Sequence, residues 1–148
     1  MRYLCSTHQS QLFAQSFEQQ SSIWLDWMMR AAVFYQQRYW QDALPFLGCG
    51  FELSMHQLEA AQKDEQAAAV TLCLSAIYLH NVLRHLGQTL EAQALVHQTI
   101  DAIAAHGSLI DGDGFIRLLV KPHLHQAFFT QYLNLPYQEL PASALSLH

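Results

Sequence analysis

Residues 27–53 read WMMRAAVFYQQRYWQDALPFLGCGFEL. Two apolar stripes lie in this stretch, separated by the polar step Gln36-Gln37-Arg38. The first extends back through Phe13, Phe17 and Trp24 and runs on through Trp27, Met28, Ala31, Phe34 and Tyr35. Its steps of three, four and seven residues hold one face of a 3.6-residue helix. Ser21 and Ser22 either cap a fresh helix or ride through a longer one, because the stripe keeps its phase across them. The second stripe is Trp40, Ala43, Leu44, Leu47, Gly50, Phe51 and Leu58, which predicts a second helix from about Trp40. Pro45 is accommodated if it falls near the first turn, where its missing N–H costs little.

The same pattern recurs downstream. Lys63 to Glu65 is a polar break, with Asp64 placed to cap a third helix carrying Ala69, Leu72, Cys73, Ala76, Leu79, Leu83 and Leu86. Gly87 is expected to end it in a left-handed conformation. Thr89 is expected to cap a fourth helix with Ala92, Leu95, Val96, Ile100 and Ile103 inside, closed by Gly107. Connections this short make consecutive helices antiparallel neighbours. After the turn-rich 107–114 segment comes another apolar stretch from Phe115 to Leu133, kinked or restarted at Pro122, and then a tail from about Asn134 with Pro136 and Pro141, expected to be extended on the surface. No stretch alternates with period two, so the expected class is all-α, in one domain spanning 1–148.

Composition narrows the function. Apolar residues make up 51% of the 148 and charged ones only 13%, so the surface is finished largely by glutamine, as at Gln9, Gln11, Gln15, Gln19 and Gln20. Neutral amide surfaces repel neighbours weakly, which suits contact with another protein and predicts self-association at least to a dimer. A net charge of −5 with seven scattered Lys and Arg argues against nucleic-acid binding. Residues 1–10 carry no apolar leader, and no segment approaches eighteen uninterrupted apolar residues, so the expectation is a cytoplasmic protein with no membrane span. Cys5, Cys49 and Cys73 are odd in number and widely spaced, as reduced thiols would be.

The residues that invite a chemical reading have simpler accounts. His80 and His85 are five apart and His123 and His125 two apart, whereas metal-binding pairs on a helix use three or four, so no metal is expected. Cys73 and His80 share a face but stand two turns apart, roughly 10 Å of rise, too far for a nucleophile and its base. Gly48-Cys49-Gly50 resembles an exposed nucleophile loop; Gly50, however, falls on the helical stripe as a close-packing site, while Gly48 has no such account. Asp111-Gly112-Asp113-Gly114 lacks a calcium loop's first ligand, with Leu109 in its place, and its closing carboxylate, with Val120 in its place; a helix-capping turn is expected instead. No catalytic residues and no cofactor are assigned, and the chain is not expected to be an enzyme.

On these residues the two helix pairs resemble tetratricopeptide repeats. Trp27 stands at that family's opening aromatic, Ala31 at its small crossing site, Phe34 and Tyr35 at the following aromatics, Trp40 at the turn, Ala43 at the near-invariant alanine, Leu47 after it and Gly50 at the last small site. The second pair matches at Leu79, Leu83, Leu86, Gly87, Ala92 and Val96, with His80 and Thr99 at two sites that are normally small. Ala43 and Ala92 are 49 apart where the family repeat is 34, so the helices or their connection are longer. The resemblance implies a right-handed helical repeat; a plain bundle of the same hairpins is the alternative. It also implies a concave groove lined by the first helix of each pair, presenting Met28, Ala32, Tyr35 and Gln36, then Ile77, Asn81, Arg84 and His85, to a partner peptide or helix. The implied function is an adaptor or chaperone-like module. The other reading is a homo-oligomeric structural or regulatory protein.

Overall fold

The computed structural model describes residues 3–60, 65–106 and 111–120. They form six helices: α1 (Ser6–Phe13), α2 (Phe17–Gln36), α3 (Trp40–Ala60), α4 (Glu65–His85), α5 (Thr89–Ala105) and α6 (Gly112–Val120), with no strand among the described residues. Asp64, Gly107, Leu109, Pro122, His123, His125, the stretch expected to run to Leu133 and the tail from Asn134 lie outside the described residues.

The stripe that runs unbroken from Phe13 to Tyr35 in sequence is divided in space. Phe13 ends α1, and α2 starts after Ser16, whose Oγ accepts the Gln19 N–H at 3.2 Å while the Gln19 side chain accepts the Ser16 N–H at 3.1 Å. This reciprocal capping box satisfies two donors that the new helix would otherwise leave exposed. Gln20 turns back to donate to Leu12 and Gln15 carbonyls at 3.2 Å, closing the end of α1. Ser21 and Ser22 ride through α2.

α2 and α3 pack antiparallel. Phe34 stacks on Phe46, Gly50 lies against Trp24 and Met28, and Gln57 Nε2 donates to the Phe17 carbonyl at 3.3 Å, so one helix descends as the other climbs. A Cβ on Gly50 would stand 3.3 Å from Met28 Sδ and 3.5 Å from Trp24 Cδ1. The crossing is therefore built on Trp24, Met28, Ala31, Ala43, Leu47 and Gly50, all buried. Trp27 and Phe34, expected at this contact, are only half-buried beside it, because the small site is opposed by the residue one turn earlier. Pro45 is the sixth residue of α3, inside the helix rather than in its first turn, so the Gln41 carbonyl loses its usual donor.

α4 repeats the arrangement with α5. Gly87 adopts φ +76° and the Gln88 and Gly87 N–H groups return to Leu83 and Arg84 at 2.8 and 3.0 Å, the double bond of a Schellman turn. The α2–α3 turn is built identically on Arg38, at φ +61°, with Tyr39 and Arg38 returning to Phe34 and Tyr35. α5 begins at Thr89 itself, preceded by Gln88 with no side-chain cap, which corrects the expectation that Thr89 is the cap. At α6 the expected capping turn is present: Asp111 Oδ1 accepts the Gly114 N–H at 2.7 Å, and Phe115 fills the core beyond it.

α4 is the central helix. It packs against α3 and α5, and residues 72–79 are buried without a break. Its 66–85 window reaches a mean hydropathy of 1.4, long and apolar enough by composition to cross a membrane, yet 72% of that window is buried inside the protein. Burial against other helices explains its apolarity here.

Candidate protein-binding surface

α2 and α4 run side by side in the same direction. Trp24 Nε1 donates to Ser75 Oγ at 2.8 Å, the Tyr35 ring meets the Tyr78 ring edge-on at 4.8 Å, and Asn81 Nδ2 donates to the Tyr35 hydroxyl. These contacts decide where the groove residues fall. Met28, Ala32, Tyr35, Ile77 and Asn81 are buried; Tyr35 and Asn81 are each only 2% exposed. Arg84 and His85 are half-buried, and of the eight only Gln36 is exposed. Tyr35 and Asn81, expected to line an open groove, are instead packed inside. Large side chains rather than close backbone approach fill the face between the two first helices, with Tyr35, Tyr78 and Asn81 spanning it.

His85 stacks on Trp40 with ring centroids 4.0 Å apart, joining the end of α4 to the start of α3. Burial, then the positive charges of Arg38 and Arg84, holds its pKa below the ordinary imidazole range, and its Nε2 has no hydrogen-bond partner among the described residues. His56 is stacked flat on Phe13 at 3.7 Å, and burial lowers its pKa as well, against the pull of Glu59. Burial pushes the Cys73 thiol up to about 12, and burial with Glu52 pushes Cys49 up to about 11, so neither is an activated thiolate at neutral pH.

Among the exposed large apolar residues, which also include Tyr39, Leu90, Ile116 and Val120, three gather on the solvent side of α2. Leu25, Met29 and Val33 are 45%, 47% and 56% exposed and follow one another at every fourth residue, forming a second apolar stripe beside the buried one. Leu25 joins it to a cleft of about 210 Å³ between α2 and α4, lined by Phe17, Ser21, Trp24, Gln57 and Thr71. The exposed pair Asp26–Arg30, bridged at 2.9 Å, flanks the stripe. Its sequence signal was an excess: α2 carries more large apolar residues than one buried face can absorb, and those off the first stripe are four apart.

Compared with protein-family models, with curated proteins and with solved structures, the chain finds no match in any of the three.

Proposed function

We propose that this protein is a helical adaptor that docks an amphipathic helix of another protein along α2. The exposed Leu25–Met29–Val33 stripe carries this reading. Three apolar side chains in register over two turns match the spacing by which one helix reads another, and the adjoining cleft offers room for one inserted side chain. Beyond Glu18, the Asp26–Arg30 pair carries the only charges on α2, and the two offset each other, which keeps the desolvation cost of docking small.

The hairpins supply the rigid support for that face. Arg38 and Gly87, the left-handed turn residues, are 49 apart, as are the buried Ala43 and Ala92 and the helix starts Trp40 and Thr89. This internal correspondence favours a tetratricopeptide-like stacking of α2–α3 on α4–α5 over an unrelated bundle. Three free cysteines suit a reducing compartment such as the cytoplasm. No catalytic role is proposed.

A symmetric dimer is the second reading, and one observation favours it. The Asp26–Arg30 pair is self-complementary: two copies of α2 laid antiparallel bring each Asp26 opposite an Arg30. The test replaces the stripe with the amides already used elsewhere on the surface, as Leu25→Gln, Met29→Gln and Val33→Gln. These side chains are exposed, so circular dichroism and melting temperature should be unchanged while capture of the cognate partner is lost. Undiminished capture by the folded variant refutes docking on α2.

A further inference from the structure

The residues before α1 are held on α3 in the way a bound peptide is held. Glu52 presents both carboxylate oxygens to consecutive backbone donors: the Tyr3 N–H donates to Oε1 at 2.5 Å and the Leu4 N–H to Oε2 at 2.7 Å. The Tyr3 ring lies directly on Gly48, where any Cβ would run into it. Leu4 is buried beside Leu12, Ile23 and Trp27. Gly48 and Glu52 are one turn apart and face the opposite side of α3 from Gly50, so neither takes part in the α2 crossing. A mid-helix glycine costs about 1 kcal/mol relative to alanine, and the Tyr3 ring, whose atoms are the nearest a Cβ would meet, accounts for it at this position.

The three features specify a ligand chemistry. A carboxylate fork takes two successive N–H groups of a non-helical backbone, a bare patch of helix takes an aromatic ring, and an apolar pocket takes the aliphatic side chain that follows. We propose that this face of α3, with the apolar pocket that Leu12, Ile23 and Trp27 add from α1 and α2, is a peptide-recognition seat for a segment with an aromatic–aliphatic pair and two free backbone N–H groups. The chain's own Tyr3–Leu4 fills it in cis, and a matching segment of another chain takes it when the arm is released. The seat uses none of the stripe residues Leu25, Met29 and Val33, so its test is independent of the docking reading.

The test uses the full-length chain with Tyr3→Ala and Leu4→Ala, which removes the ring and the aliphatic side chain from the seat and leaves only the backbone N–H groups to compete, and a fluorescent peptide copying residues 1–5 with Cys5→Ser. Anisotropy should show saturable one-to-one binding. Adding Glu52→Gln should weaken it about tenfold, the loss of a charge-assisted pair of hydrogen bonds, and adding Gly48→Ala should abolish it. A host with native circular dichroism that binds no peptide overturns the proposal, as does binding indifferent to Glu52→Gln. If the host does not fold, the wild-type chain serves. Excess peptide should then accelerate amide exchange at Tyr3 and Leu4, because it competes with an arm whose effective concentration is of millimolar order. Unchanged exchange overturns the proposal equally.

Discussion

Arg38 shows how much one residue's conformation costs at this size. It sits at φ +61°, in the region an L side chain avoids, while its counterpart Gly87 makes the same turn at φ +76° with no Cβ to strain. Both turns carry the same pair of backbone hydrogen bonds, so the difference between them is the side chain. Arg38→Gly should therefore stabilise the protein by about 1 kcal/mol, raising the melting temperature by roughly 2–4 °C; a drop in scanning calorimetry would show that the arginine side chain does more than tolerate the turn. Gly87 was legible as a left-handed terminus because glycine signals it. Arg38 was not, since nothing in an arginine announces a positive φ. Gly48 was equally opaque for the opposite reason: its explanation, the Tyr3 ring, lies 45 positions away in the chain.

Among the elements, α2 and α3 show what periodicity can and cannot settle. Phe13 and Phe17 are four apart, so a helical stripe passes smoothly over the Ala14–Ser16 break. The break is encoded instead in Ser16 and Gln19, a capping pair whose meaning is local and independent of the stripe. The crossing at Gly50 was legible, because a glycine on an otherwise large apolar face marks a close approach. Its partners were displaced by a turn, since Trp24 and Trp27 occupy neighbouring phases and only packing chooses between them. Trp24 and Met28 now set the cost of filling the site. Gly50→Leu adds a branched side chain against an indole already hydrogen-bonded to Ser75, and should destabilise by about 1–3 kcal/mol. Chemical denaturation measures this, and an unchanged midpoint would mean that the helices separate there freely.

For the whole molecule, the all-α class and the four long helices follow from sequence pattern, while the location of an open surface does not. Whether the face shared by α2 and α4 is a groove or a seam depends on which side chains fill the space between them. A 49-residue spacing does not encode that filling. Tyr35 and Asn81 close the seam by bonding to each other, and an open apolar stripe remains on the solvent side of α2, reaching the α2–α4 cleft at Leu25. The proposed docking therefore requires Leu25, Met29 and Val33 to meet a partner. The most direct measurement places a photo-crosslinking amino acid at Met29 in the full chain inside its native cell, with a control at Gln93, an exposed polar position on α5. A discrete adduct with another protein at Met29, and none at Gln93, is the predicted result; an adduct of twice 16.9 kDa would identify the symmetric dimer instead. No adduct at Met29, or the same adducts at both positions, would contradict the claim that α2 is the binding face.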